Sequence, residues 1–165
     1  MITFEKYMTF TPTTNTYKDK DMNDCLELGL LEEIGEFAGK IKKMHRDDNG
    51  VMTIEKHESL IKELGDIAWY TAEILNKNIK GIPKSEYSLS FQYSRPTRIE
   101  QIPVTMNTIY INRSSWSSFY LNMLFCISIA CEFLNTTPDH VFSENIKKLK
   151  SRQDRGVLHG SGDDR

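Results

Sequence analysis

Residues 30–44 of the chain have the sequence LLEEIGEFAGKIKKM, and residues 60–70 have the sequence LIKELGDIAWY. At 100° per residue, the first stretch places its apolar residues in one narrow helical stripe. These residues are Leu30, Ile34, Phe37, Ile41 and Met44. Glu33 lies at the edge of this stripe, and Glu36 follows it on the adjacent flank. The first stretch is therefore predicted to be a core helix with acids on its border.

The second stretch is apolar around almost its whole circumference. One face consists of Ile61, Leu64, Ala68, Ala72 and Leu75. Glu63, Asp66 and Tyr70 lie on the opposite side. Ile67 and Ile74 flank them there, which predicts that this side is buried too. A helix of this kind belongs inside a bundle.

Two pairs of acids spaced i,i+3 on two core helices predict an internal cluster of four carboxylates. Such a cluster cannot stay ionised without cations. Hard oxygen ligands suit Mg²⁺ or Mn²⁺, which also accept substrate phosphates as ligands. The alternative is that each pair lies on a solvated helix face, as isolated ExxE and ExxD pairs often do. Glycines in mid-helix favour the metal site, because they indicate close helix approach or room for a ligand. They are Gly29, Gly35, Gly39 and Gly65.

Length and composition predict one soluble domain. The chain has 165 residues, of which 39% are hydrophobic and 27% charged, enough for a packed core. Its formal charge of −2 argues against binding to a nucleic acid polymer. The three cysteines form no CxxC pair, so a reducing, cytoplasmic location is expected.

No membrane association is expected. The first twenty residues hold no apolar signal segment. The most apolar run, 119–134, is interrupted by Asn122 and Glu132 and is shorter than the ~20 residues that span a bilayer. A buried helix is the better interpretation of this run.

The pattern along the chain predicts an all-α bundle of four to five helices within a single domain, 1–165. The expected helices cover about 23–45 after a cap at Asn23 or Asp24, 53–76 after a Thr53 cap, 115–134, and 138–152 after a Thr137 cap. The arm 1–21 contains one helical turn near 4–8. Prolines and alternating stretches in 77–114 favour an inserted extended arm or β-hairpin. The tail, 156–165, is expected to be flexible.

The acids carry a resemblance to a known family. Glu32-Glu33-Ile34-Gly35-Glu36, followed by Glu63-Leu64-Gly65-Asp66, resembles the EExxE…ExxD signature of the MazG-like all-α nucleoside triphosphate pyrophosphohydrolases. The segment 145–165 is similar to the end of short phage and bacterial members. The resemblance covers about 26–70 and 141–165, and it leaves out 77–118. It implies Mg²⁺-dependent hydrolysis between the α and β phosphates, in a homodimer or homotetramer whose subunits share active sites.

The resemblance also implies roles for residues of this chain. Glu33, Glu36, Glu63 and Asp66 match the metal-binding positions. Glu33 or Glu32 is the candidate catalytic base, and the choice between them stays open. The candidates for substrate binding are Lys40, Lys43, Tyr70, Asn145, Lys148, Arg152 and Arg155. For the lysines on the first helix, the alternative is an ordinary solvated flank, and for the two arginines it is a charge favoured by the helix dipole.

The favoured function is hydrolysis of a free (d)NTP, which would control or clean the nucleotide pool. Another triphosphate or a diphosphate-bearing nucleotide remains an open substrate. A different class is a non-catalytic helical oligomer that uses the insertion to bind a partner, but the presence of all four carboxylates favours an enzyme. The apolar circumference of the second helix predicts at least a dimer. The insertion is expected to pack on the partner subunit rather than on the nucleotide site.

Overall fold

The computed structural model describes residues 1–79 and 93–158, which form six α-helices and one short 3₁₀ helix, with no β-strand among them. The α-helices are α1 (Phe4–Phe10), α2 (Met22–Asp47), α3 (Ile54–Asn78), α4 (Gln101–Ile111), α5 (Trp116–Phe133) and α6 (Pro138–Asp154). The 3₁₀ helix, Thr11–Thr14, continues directly from α1. The all-α class is confirmed, with more helices than the four or five predicted.

Four of the helices have a Ser or Thr residue at the N-cap. Its hydroxyl oxygen accepts a hydrogen bond from the backbone N–H three residues later. The capping residues are Thr3, Thr53, Ser115 and Thr137. The caps predicted at Thr53 and Thr137 are therefore confirmed, and Pro138 fills the first helical position after the second of them.

The two ends of α2 differ in how well the sequence predicted them. The helix starts directly after Asp21, whose side chain makes no capping hydrogen bond. The caps predicted at Asn23 or Asp24 are wrong, because both residues lie inside the first turn. The predicted stop is confirmed: Asn49 and Gly50 adopt positive φ angles of 54° and 78°, which a helix cannot continue through.

Helix α3 occupies the centre of the bundle and packs against α1, α2, α5, α6 and the 3₁₀ helix. Leu64, Ala68 and Leu75 are buried on one side, and Ile67 and Ile74 are buried on the other. The apolar circumference that suggested an oligomer is thus covered within one chain. A charged residue on the buried faces of this helix, such as Glu63, needs a polar partner because water barely reaches it.

The β-hairpin predicted within 77–114 is wrong for the part of that segment that the structure describes. The alternating stretch 104–111 belongs to α4. Its buried residues recur with helical spacing: Ile102, Met106, Ile109 and Tyr110. Pro103 lies in the first turn, where a backbone N–H has no intrahelical partner to lose. Packing of α4 on α2 and α5 outweighs the β propensity of its Val, Ile and Thr residues.

The described part of the insertion packs on its own chain. Tyr110 on α4 donates a hydrogen bond to Glu27 on α2, and Arg113 stacks on the Tyr110 and Trp116 rings at 4.4 and 4.8 Å from their centroids. The other alternating stretch, 87–93, lies outside the described residues except for Tyr93. Most of the predicted flexible tail, from 159 onward, lies outside them too.

Helix α5 is long and apolar enough to cross a membrane by length and composition alone. In the fold, however, 56% of it is buried inside the protein. Phe119, Met123, Cys126 and Ile127 are completely covered. The sequence-based interpretation of this run as a buried helix agrees with its position.

Candidate metal centre

Three of the four predicted metal ligands converge between α2 and α3. The carboxylates of Glu33, Glu36 and Glu63 each place one oxygen so that all three lie within 4.8 Å of one another. Glu36 is exposed, Glu33 is half-buried and Glu63 is 2% exposed. The cluster therefore runs from the protein surface into the core.

The register of the two helices explains why these acids meet. Gly29 on α2 faces Tyr70 on α3, whereas Glu36 faces Glu63, so the two helices run antiparallel. The Tyr70 ring fills the space above Gly29, where an added Cβ would lie 2.2 Å from its Cε1 atom. This close approach is one that the glycine pattern predicted.

Glu63 carries the deepest carboxylate of the cluster. Lys40, one turn beyond Glu36 on α2, forms an ion pair with it, and 21% of the lysine side chain is exposed. A carboxylate this deeply buried needs either a positive charge nearby or several hydrogen-bond donors, and Glu63 has the charge. Lys40 therefore lies beside the carboxylate cluster and is paired with one of its acids rather than fully solvated.

Asp66 lies one turn beyond Glu63 and has partners from α6. The Lys148 ammonium contacts both of its carboxylate oxygens, and Asn145 Nδ2 donates a hydrogen bond to Oδ1 at 2.8 Å. Gly65 permits this approach, because a Cβ there would lie 3.0 Å from the Asn145 Cβ. The predicted Asn-x-x-Lys pair is therefore beside the predicted metal ligands.

Glu33 holds a proton more tightly than an ordinary glutamate does. Burial raises its pKa to about 9, and the nearby Asp66 charge and a hydrogen bond with Glu63 add to the effect. Glu33 is therefore neutral at pH 7. One proton, together with Lys40 and Lys148, offsets most of the negative charge of the four carboxyl groups.

The donor set fits a small divalent cation. Mg²⁺ and Mn²⁺ prefer carboxylate oxygens. Three carboxylate oxygens within 4.8 Å of one another could therefore hold one such cation. A cation at Glu33, Glu36 and Glu63 would also replace the charge that Lys40 and the bound proton supply.

Tyr70 lies on the side of the candidate metal centre that faces the N-terminal arm. Its hydroxyl shares a hydrogen bond of 2.8 Å with the hydroxyl of Tyr17. Its ring packs edge-on against Trp69, with centroids 5.0 Å apart. Trp69 is buried and donates to Thr14 Oγ1 at 3.0 Å, so it is a core residue rather than a free stacking platform.

The remaining predicted residues are spread more widely. Glu32 and Lys43 are exposed on α2. On α6, Arg152 lies one turn beyond Lys148 and is only 7% exposed, while Arg155 is exposed and its Nε donates to the Ser151 carbonyl. Of the four glycines, Gly35 alone lies among the acids of α2, and an added Cβ there would meet open space.

Two buried polar residues near the site were not predicted from the sequence. Tyr7, in the N-terminal arm, reaches Asn145 with a hydrogen bond of 2.6 Å, and nothing in its local pattern indicated this. Glu73 is a further buried carboxylate on α3, only 4% exposed. Its spacing of seven residues from Asp66 places it on the same side of the helix, which is a signal that could have found it.

The described residues thus form an all-helical fold with a carboxylate cluster between two antiparallel core helices and a lysine beside each of the two acids of α3. The family described as MazG nucleotide pyrophosphohydrolase domain matches residues 22–81, which include α2, α3 and all four acids. The chain is also 30% identical to the Gene 37 protein of Mycobacterium phage L5 over 138 residues, or 84% of this chain and 72% of the phage protein.

The chain belongs to the MazG nucleotide pyrophosphohydrolase family, as a short member of the phage type. Membership implies hydrolase activity on nucleotides. No solved structure matches the chain.

Proposed function

We propose that the protein is a Mg²⁺-dependent pyrophosphohydrolase that converts a (d)NTP to (d)NMP and pyrophosphate. The observation that carries this proposal is the convergence of Glu33, Glu36 and Glu63, with Asp66 one turn away, between two lysines. Mn²⁺ suits the same oxygen ligands. A cytoplasmic role in controlling or cleaning the nucleotide pool is consistent with the unpaired state of all three cysteines.

Different residues of the chain would have different roles in phosphoryl transfer. Glu36, Glu63 and Asp66, with Glu33, would hold the cation, which neutralises phosphate charge and lowers the pKa of bound water. Lys40 and Lys148 are long enough to turn from their carboxylates to the triphosphate once the cation supplies their charge. Both lysines would then bind the substrate.

A carboxylate not used for coordination would accept the proton of the attacking water. Glu33 and Glu32 remain the two candidates. Glu33 holds a proton in the metal-free protein, so it would act as the base only after a bound cation had displaced that proton. Glu32 is exposed and would need a substrate or a second subunit beside it.

We also propose assembly as a homodimer or homotetramer, supported by the outer face of α2. Leu28 and Leu31 are exposed there at 66% and 36%. Gly35 and Gly39 continue the same face, and neither has an atom within 4 Å of the position of an added Cβ. An apolar stripe with small residues suits close packing of a second helix. A monomer at micromolar concentration in analytical ultracentrifugation would contradict this assembly.

The test of the function is a panel of common dNTPs and NTPs incubated with the protein and MgCl₂, with pyrophosphate and monophosphate both measured. We expect both products in equal amounts from at least one nucleotide. Asp66→Asn and Glu36→Gln are matched in volume and should abolish turnover while circular dichroism shows unchanged helix content. Retention of more than about a tenth of wild-type activity in both variants would rule out the proposed ligands, because loss of metal ligation costs several kcal/mol at the transition state. A lack of turnover with every nucleotide would favour a non-catalytic binding module.

A further inference from the structure

A chain of hydrogen bonds connects the N-terminal arm to the metal centre. The hydroxyl of Tyr7 on α1 donates to Asn145 Oδ1 at 2.6 Å, and Asn145 Nδ2 donates to Asp66 Oδ1 at 2.8 Å. The same hydroxyl lies 3.3 Å from the Gly65 carbonyl oxygen. Three helices, α1, α6 and α3, each supply one member of this chain.

The chain permits only one orientation of the Asn145 amide. Its oxygen can only accept, so it must face the Tyr7 hydroxyl, and its nitrogen can only donate, so it must face the carboxylate. The flipped amide would place its oxygen against the Asp66 oxygen, and two acceptors would repel each other. Without the Tyr7 hydroxyl, the amide oxygen would lose the partner that holds it away from Asp66.

The Tyr7 hydroxyl is itself held firmly in place. The side chain has no exposed surface. Its ring stacks on Phe142 with centroids 4.9 Å apart and an interplanar angle of 18°, and it packs against Phe4 at 6.0 Å. Because these contacts fix the ring, the hydroxyl has little freedom to leave Asn145.

Tyr7 also stays a donor over the whole physiological pH range. Burial raises its pKa well above the usual tyrosine value, and the nearby charges of Asp66 and Glu73 raise it further. Tyr7 also lies outside the segment that matches the MazG domain, since that segment covers residues 22–81.

We propose that Tyr7 is a positioning residue of the metal centre, which fixes the Asn145 amide so that Asp66 keeps the orientation a divalent cation requires. This inference rests on the proposed function, since it assigns Asp66 to the cation. Partners that orient ligating carboxylates typically change metal affinity by about 10- to 100-fold when they are removed. Tyr7 acts through one further residue, so its removal should have a smaller effect.

The test measures Mn²⁺ affinity by isothermal titration calorimetry for the full chain and for Tyr7→Phe, Asn145→Ala and the double variant. Tyr7→Phe keeps the stacked ring and removes only the hydroxyl. We expect it to weaken Mn²⁺ binding roughly 3- to 10-fold. The double variant should bind no more weakly than Asn145→Ala alone, because the hydroxyl acts through the amide. Tyr120→Phe is the matched control: it removes a hydroxyl from the same aromatic cluster, where Tyr120 packs against Phe4 at 5.8 Å.

Two results would overturn the inference. One is wild-type Mn²⁺ affinity in Tyr7→Phe, and the other is a Tyr7→Phe effect of full size in the Asn145→Ala background, which would indicate a general loss of packing. Failure of the wild-type protein to bind Mn²⁺ would overturn the proposed metal centre itself, and this is a separate outcome. If Tyr7→Phe fails to fold, the hydroxyl proton of Tyr7 in the wild-type protein decides: an NMR signal in slow exchange with solvent and close to the Asn145 side chain supports the inference, and a rapidly exchanging hydroxyl overturns it.

Discussion

Helix α3 carries buried or half-buried acids at two levels along its axis. Glu63 and Asp66 form one level and Glu73 forms the other, and the two levels have different kinds of partner. Glu63 and Asp66 face the ammonium groups of Lys40 and Lys148. Glu73, about 10 Å further along the helix, accepts hydrogen bonds from three neutral donors instead. These are Thr11 Oγ1 at 2.6 Å, Asn76 Nδ2 at 3.1 Å and Asn15 Nδ2.

This difference is what would separate a metal-binding acid from a structural one. A lysine is a single charge on a flexible stem, so a divalent cation can take its place and release it towards a phosphate. The donors of Glu73 belong to the arm that covers α3 and to α3 itself, and their hydrogen bonds hold the arm in place. Burial of an acid alone therefore does not identify a metal ligand, and the kind of partner has to be considered as well.

The largest expected effect comes from comparing glutamate-to-glutamine substitutions at Glu63 and at Glu73. Glu63→Gln should lower the rate of pyrophosphate release at least about 100-fold, because it removes a ligand charge at the transition state. Glu73→Gln should lower the free energy of unfolding by about 1–3 kcal/mol, because the new amide group faces donors. Its activity should stay near wild type at temperatures where the protein is folded. Steady-state assays and urea denaturation of both variants test this. Equal losses of activity would contradict the distinction between the two levels.

The next effect concerns the lysines in the metal-free protein. Lys40→Met leaves Glu63 buried without its counter-ion and should lower the free energy of unfolding by roughly 3 kcal/mol, at the low end of the range for a broken buried pair because Lys40 is partly exposed. Mg²⁺ should raise the melting temperature of this variant more than that of the wild type, since the cation now supplies the missing charge. Lys43→Met, at an exposed position on the same helix, is the matched control. Identical Mg²⁺ shifts in all three proteins would show that Lys40 does not stand in for the cation.

The proximity of Glu33, Glu36 and Glu63 could be predicted from the sequence, because the relevant signals are local. Helical spacing placed Glu33 and Glu36 on the border of the α2 stripe, and the antiparallel pairing of two consecutive helices then brings them to Glu63. The lysine at position 40 follows the same flank, so its place in the site also follows from periodicity.

The sequence did not predict the features that depend on packing between distant parts of the chain. The β-prone stretch 104–111 becomes helical because α2 and α5 bury one helical face of it, and propensity alone contains no information about those neighbours. Tyr7 reaches Asn145 across 138 residues of sequence separation, and Glu73 finds its donors 58 to 62 residues away in the arm. Contacts of this range depend on the finished fold.

The smallest expected effect, per pH unit, is the change in stability caused by Glu33, which lies on α2 beside the lysine-paired acids of α3. Glu33 in the folded, metal-free protein has a pKa of about 9 against 4.5 as the ordinary value, so between these pH values the folded state holds a proton that the unfolded state has lost. The free energy of unfolding of the metal-free protein should therefore fall as the pH rises from about 5 to 9, by at most about 1.4 kcal/mol per pH unit for one proton. Glu33→Gln mimics the neutral side chain and cannot titrate, so its stability should fall less steeply over the same range. Saturating Mg²⁺ should reduce the slope of the wild type, because the cation displaces the proton. Urea denaturation at intervals of one pH unit checks these slopes, and parallel curves for the wild type and Glu33→Gln would show that Glu33 does not carry the proton.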